Sequence, residues 1–99
     1  MRVVVEAGAL ADIERIDAWW RENRPVAPEL FASEVAQVLS LLARAPKFGK
    51  RYPRRGMPSL RRALLRESRQ HFYYVCDAET VTVLAVWGAL KRHGPPLPR

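Results

Sequence analysis

The chain has 99 residues, of which 48% are hydrophobic and 27% charged, a composition that suits one small folded domain and excludes a disordered chain. Its single cysteine, Cys76, has no partner for an internal disulfide, which fits a reducing compartment such as the cytoplasm. No run approaches the roughly 18 apolar residues that a membrane span needs, and acidic residues interrupt the N-terminal apolar run, so we expect neither a membrane segment nor a signal peptide.

The net charge of +7 is concentrated in one segment. Residues 46–70 carry nine lysines and arginines against Glu67 alone, whereas residues 1–45 carry more acidic than basic side chains. A positive field of this kind attracts nucleic acid or an acidic protein segment.

The first two predicted elements are a strand over residues 2–6 and a helix over residues 9–24. Three consecutive valines mark the strand, and Pro25 ends the helix because the residue before a proline avoids the α region. Helical spacing places four apolar side chains on one face of this helix: Leu10, Ile13, Ile16 and Trp20.

A second helix is predicted from Pro28, which suits a first turn, to Pro46. Its apolar positions repeat at intervals of four, three and four residues: Phe31, Val35, Val38 and Leu42. Because only a few residues separate the two helices, we expect an antiparallel helical hairpin.

The second half of the chain predicts a loop followed by three strands. Residues 46–58 contain three prolines and two glycines and are typical of a loop; strands follow over residues 60–67, 70–77 and 80–87, and a basic, proline-rich tail over 91–99. The predicted fold is a single α+β domain over residues 1–99 with the order β-α-α-β-β-β. The helical hairpin would cover one face of a four-stranded sheet, in which the last three strands form an antiparallel meander.

Cations on the first meander strand, on its turn and after the last strand are the main candidates for contacting a target. They are Arg61, Arg62, Arg66, Arg69, Lys91 and Arg92. Guanidinium groups bind phosphate bidentately, so this set favours an anionic ligand. The alternative for any single arginine is a solvated charge that protects an edge strand from aggregation.

Other side chains offer less chemistry. One cysteine and two histidines, His71 and His93, lack metal-ligand spacing, and there is no glycine-rich phosphate loop, so we expect no metal and no cofactor. Strand alternation sends one of Tyr73 and Tyr74 to the core and leaves at most one exposed.

Four stretches together resemble the ParE/RelE superfamily of toxins from bacterial type II toxin–antitoxin pairs. These stretches are ADIERIDAWWRENRP, LLARAPKFGKRY, SLRRALLRESRQHFYYVCD and VTVLAVWGALKRHGPPL. The resemblance implies a compact toxin that a small antitoxin neutralises by wrapping its surface. We expect an acidic amphipathic segment of the antitoxin to contact Trp19, Trp20, Arg61 and Arg62.

The superfamily has two branches with different targets. ParE-like toxins are implied to poison DNA gyrase without catalysis, and RelE-like toxins to cleave mRNA on the ribosome. The pattern WW-x-x-N-R-P favours the ParE branch, and the ribonuclease branch commonly has His or Tyr where this chain has Val86–Ala89. In the RelE-like alternative, the catalytic set would be Arg61, Arg62, Arg69 and Tyr73.

Overall fold

A computed structural model describes residues 1–97 as two α-helices packed on one mixed five-stranded sheet. The elements in chain order are β1 (Arg2–Val5), α1 (Ala7–Asn23), α2 (Leu30–Arg44), β2 (Lys50–Arg51), β3 (Arg61–Leu65), β4 (Gln70–Cys76) and β5 (Thr80–Gly88). The strands lie in the order β1-β5-β4-β3-β2. Strands β3, β4 and β5 form an antiparallel meander, and β1 pairs in parallel with β5.

The α+β class, the element order and the meander are confirmed, but the sheet has one strand more than predicted. Strand β2 lies inside the proline- and glycine-containing loop, where Lys50 pairs with Arg62 and Arg51 with Arg61. Two residues are too few to produce a recognisable alternation of apolar and polar side chains, so the sequence pattern indicated only a loop.

The helices cover one face of the sheet, as predicted. The buried residues of this main core come from both helices and from β3, β4 and β5: Ala9, Phe31, Val35, Leu42, Ala63, Leu65, Phe72, Tyr74, Val81, Val83 and Val86. The expected burial of Leu10 is wrong, because α1 turns Ala9 toward the sheet and leaves Leu10 48% exposed. Helix α2 begins two residues after Pro28, since residues 24–30 form backbone-bonded turns.

A second, smaller core lies on the opposite face of the sheet around Leu60, Tyr73 and Ala85. The C-terminal tail helps to cover it. Indole Nε1 of Trp87 donates to the carbonyl oxygen of His93 over 2.7 Å, and Pro95 is buried. The predicted tail is therefore held against the sheet at His93 and Pro95, while Pro98 and Arg99 lie outside the described residues. No helix within residues 1–97 is long and apolar enough to cross a membrane.

Candidate partner-binding groove

A groove of about 790 Å³ opens at one end of the sheet. Its walls are the C-terminal half of α1, the turn between β3 and β4, and the end of β5 with the residues that follow. Apolar side chains from these three places line it: Ile16, Trp19, Trp20, Val86, Trp87 and Leu90. Two of them keep large solvent exposure, 48% for Trp19 and 78% for Leu90. The groove therefore offers aromatic and aliphatic surface that the fold itself leaves uncovered.

Cations surround this apolar surface. The rim carries Arg15, Arg24, Arg69 and Lys91 against a single lining carboxylate, Glu67, and Arg15 is also paired with Asp12 of its own helix over 3.1 Å. The field inside the groove is consequently positive, and an anionic ligand is favoured there.

Two of the rim cations lie over indole rings. The guanidinium of Arg24 is 5.1 Å from the ring centroid of Trp19 and 5.7 Å from that of Trp20. The ammonium of Lys91 is 4.5 Å from the Trp87 ring. The quadrupole of an indole attracts a cation over its face, so these contacts hold positive charge next to the apolar lining.

The turn between β3 and β4 is fixed by a carboxylate from α2. Glu34 Oε2 accepts the backbone N–H of Glu67 over 2.8 Å, and its Oε1 accepts that of Ser68 over 2.9 Å. A second carboxylate, Asp12 on α1, accepts the N–H of Val86 through Oδ2 over 3.0 Å. These two acids attach the helices to the strands that line the groove.

Neither acid was among the residues that the sequence singled out, although a signal existed. Glu34 lies three residues after Phe31 and four before Val38, and Asp12 lies four residues before Ile16. Both positions belong to apolar helical stripes. A carboxylate at such a position indicates a buried backbone donor that needs an acceptor.

The six predicted target-binding cations do not form one cluster. Arg69 and Lys91 line the groove, whereas Arg66 and Arg92 are exposed residues outside its lining. Arg61 and Arg62 belong to the other end of β3, because Arg61 pairs with Tyr74 while the groove end of β4 begins at Gln70. Gln70 and Tyr74 are four residues apart on β4, which corresponds to roughly 13 Å along a strand.

Arg61 and Arg62 also point to opposite faces of the sheet and contact the protein itself. The Arg61 guanidinium donates to the carbonyl oxygen of Gly49 over 2.7 Å. The Arg62 guanidinium lies 4.2 Å from the ring centroid of Tyr52. Of the four residues expected to contact an antitoxin, only Trp19 and Trp20 therefore meet, with ring centroids 6.0 Å apart in an edge-on arrangement.

Both tyrosines of β4 are inaccessible to a ligand. Tyr73 is 2% exposed beneath the loop and the tail, and Tyr74 is fully buried in the main core. Both burials agree with the prediction that at most one of them is exposed, and neither is exposed because both faces of β4 are covered. The hydroxyl of Tyr74 accepts the backbone N–H of Gly49 over 2.8 Å, and burial raises its pKa.

His71 lies next to Tyr73, with ring centroids 6.0 Å apart. Partial burial and the nearby charge of Arg62 lower the pKa of His71, so its imidazole is held in the neutral form. The proposed RelE-like catalytic set is dispersed: Arg69 lies at the groove, Arg61 and Arg62 on opposite faces of the sheet, and Tyr73 inside the second core.

Comparison with known proteins gives the chain a family. A family model described as the ParE toxin of the type II toxin–antitoxin system parDE matches residues 3–91, which include both helices and all five strands except Arg2 at the start of β1. A search among curated proteins finds no match. The family implies a cognate antitoxin as a partner. The chain therefore belongs to the ParE toxin family of type II toxin–antitoxin systems.

Proposed function

We propose that this toxin poisons DNA gyrase by binding it, and that its antitoxin neutralises it by placing an acidic amphipathic segment in the groove. The observation that carries the proposal is the combination of exposed aromatic lining with four rim cations and one acid. Such a surface suits recognition by contact and charge. It offers no positioned acid–base pair.

The groove fits an amphipathic segment for two reasons. Trp19 and Leu90 provide exposed apolar surface on which apolar side chains of the antitoxin segment, spaced as on one face of a helix, could pack. Tryptophan is among the residues that contribute most to binding energy at protein interfaces. The cations Arg24, Arg69 and Lys91 would pair with acidic side chains on the flanks of the segment. A segment seated there would cover Arg69 and Lys91 together, and any target that needs these cations would be excluded.

The dispersal of the alternative catalytic residues supports poisoning over mRNA cleavage. A general acid or base must lie within hydrogen-bond reach of the reacting atom, about 2.6–3.2 Å. Tyr73 is buried under the tail, and Arg61 is bonded to the backbone at Gly49. In this arrangement no phosphate can contact Tyr73, Arg61 and Arg69 at once.

The test uses the purified full chain in two assays. In the first, gyrase supercoils a relaxed plasmid in the presence of toxin, and cleaved DNA is measured. In the second, mRNA is incubated with toxin and translating ribosomes. We expect inhibition and DNA breaks in the first assay, reversal by the antitoxin, and intact mRNA in the second. Cleaved mRNA with unaffected gyrase would overturn the proposal in favour of the RelE-like alternative.

Growth assays test the antitoxin part separately. Induction of the toxin alone should slow growth, and co-expression with the antitoxin should restore it. The variant Trp19→Ala should remain toxic but escape neutralisation, because it removes an anchor of the groove. Full neutralisation of Trp19→Ala would contradict docking in the groove and leave the gyrase assay as an independent question.

A further inference from the structure

A group of cations at the β2 edge of the sheet has no function in the fold or in the groove. Between residues 46 and 66 the chain carries eight lysines and arginines and no acidic residue. We call four of them, all exposed, the basic edge: Lys47, Lys50, Arg51 and Arg55. The two ion pairs found within residues 1–97 both lie in α1, so neither neutralises this group.

Three other cations of the same segment have contacts that explain them, and the remaining one, Arg66, lies at the far end of β3 from the basic edge. Arg54 donates to the carbonyl oxygen of Pro95 over 2.9 Å and thereby holds the tail. Arg61 is bonded to Gly49, and Arg62 covers Tyr52. The basic edge differs from these three, because its side chains make only one hydrogen bond within residues 1–97, from exposed Arg51 to the carbonyl oxygen of Pro58.

Protection against aggregation does not account for this much charge. Strand β2 has two residues and is already too short to recruit another chain effectively. Four cations within nine positions repel one another, and that repulsion is relieved when a polyanion binds. The pattern therefore points to a ligand with several regularly spaced negative charges.

We propose that the basic edge binds the phosphate backbone of duplex DNA, independently of sequence. The inference rests on the proposed function, because gyrase holds duplex DNA and a toxin that contacts both would be retained on the complex. Single-stranded nucleic acid is a poorer match, since its binders use successive exposed aromatic rings. Here only Phe48 is exposed, at 53%, while Tyr52 lies under Arg62 and Tyr73 is buried.

The basic edge is also separate from the groove. It adjoins the end of β3 that begins at Arg61, and the groove lies beyond the end at Leu65. Loss of charge at the basic edge should consequently weaken DNA binding and leave antitoxin binding unchanged. This separation gives the experiment an internal control.

The test measures fluorescence anisotropy of a short labelled duplex with the full-length toxin and no gyrase. The variant is Lys47→Gln with Lys50→Gln, because neither side chain makes a hydrogen bond within residues 1–97. Loss of two phosphate contacts should make the slope of log affinity against log salt about 1.8 shallower. Affinity near 50 mM salt should fall roughly tenfold or more.

The matched control is Arg2→Gln with Arg44→Gln, which removes the same charge from exposed positions that lie outside residues 46–66 and form no ion pair within residues 1–97. It should change DNA affinity less than twofold. Thermal melting checks that all variants fold, and Arg55→Gln provides a second probe of the same edge. Equal weakening by test and control variants, or absence of duplex binding at low salt, would overturn the proposal.

Two further outcomes separate the competing ligands. Tighter binding to single-stranded RNA than to duplex DNA would overturn the proposal in favour of an RNA ligand. Loss of antitoxin affinity in the Lys47/Lys50 variant would assign the basic edge to the antitoxin. Gyrase poisoning by a toxin that does not bind free duplex would refute this inference alone, whereas duplex binding without any effect on gyrase would refute the proposed function.

Discussion

The backbone N–H of Ala89 donates a hydrogen bond to the carbonyl oxygen of Arg69 over 2.9 Å. This contact joins the turn between β3 and β4 to the segment after β5, so that Arg69 and Lys91 line the same groove. Arg69 adopts a positive φ of 59° to make the turn. A non-glycine residue in this left-handed region costs roughly 1–2 kcal/mol, which indicates that the turn is held against local strain.

Substitution of Arg69 by glycine should separate charge from backbone geometry. Glycine adopts the left-handed conformation without strain, and this gain offsets its greater flexibility in the unfolded chain. We expect Arg69→Gly to be as stable as the wild type or up to about 1 kcal/mol more stable. Its affinity for the antitoxin should nevertheless fall, because one of the rim cations is lost. Denaturant unfolding and calorimetric titration measure the two effects.

The control for this variant is Arg69→Ala, which removes the same charge and keeps the strained backbone. It should lose antitoxin affinity to the same extent as Arg69→Gly but be less stable than the glycine variant. Equal stability of the two variants would show that the left-handed turn is not a source of strain.

Trp19 should be an anchor for the antitoxin. Removal of an exposed interface tryptophan commonly costs 2 kcal/mol or more, which is about thirtyfold in affinity. We expect Trp19→Ala to bind the antitoxin at least that much more weakly and to melt close to the wild-type temperature. Leu10→Ala is the matched control, because Leu10 lies on the same helix, is also 48% exposed and is outside the groove lining. Similar losses in both variants would count against docking in the groove.

Glu34 should stabilise the turn that carries Arg69. Its removal leaves the N–H of buried Ser68 without its acceptor, and an unpaired buried donor costs about 1–3 kcal/mol, whereas the N–H of exposed Glu67 can bond to water instead. Glu34→Ala should therefore lower the free energy of unfolding by that amount, and Glu34→Gln by less, since one amide oxygen remains to accept. Urea unfolding measures the change.

Glu22→Ala serves as the comparison for Glu34, because it removes an exposed carboxylate from α1. Its stability should stay within about 0.5 kcal/mol of the wild type, as is usual for surface positions. A Glu34→Ala variant as stable as Glu22→Ala would mean that the carboxylate is dispensable for the turn.

His71 should make the protein less stable in mild acid. Its pKa is lowered in the folded state, so the unfolded state binds more protons once the pH falls below the ordinary value near 6.5. Stability contributed by the neutral imidazole is complete above that pH and is lost as the pH falls toward the depressed pKa. The melting temperature should thus drop between pH 7.5 and pH 5.5, and His71→Gln should reduce this drop.

Tyr73 distinguishes a binding toxin from a nuclease. If gyrase poisoning is the activity, Tyr73→Phe should slow growth on induction as strongly as the wild type, because the ring still fills the second core. Loss of a proton-transfer group in a nuclease would instead lower the rate by roughly 10²–10⁴. A non-toxic but correctly folded Tyr73→Phe variant would therefore contradict the proposed function.

The fold was largely predictable because its elements are long enough to show periodicity. The apolar spacing of Phe31, Val35 and Leu42 indicates one buried face of α2, and those three side chains are buried. Strand β2 escaped prediction because it has only two residues. The burial of Tyr73 also escaped, since it depends on a tail and a loop that fold back over the sheet through contacts distant in sequence.

The groove was only partly predictable, for a related reason. Trp19 and Trp20 were recognisable as anchors from their type and position on a helix. The separation of Arg69 from Arg61 and Arg62 depends on strand register and on which end of β3 meets the end of β5. The density of charge along the chain does not show which cations meet in space. Neighbouring arginines such as Arg61 and Arg62 point to opposite faces of the sheet when they lie on a strand.

Because β1 pairs in parallel with β5, the sheet can be completed only after β5 has been synthesised. Residues 2–5 leave the ribosome well before residues 80–83, which are their strand partners. Such distant pairing forms late and slowly. Because α1 packs on β5 and the groove is built from both, an incomplete nascent chain has no groove. If the antitoxin docks there as proposed, it can bind the toxin only after β5 has emerged from the ribosome.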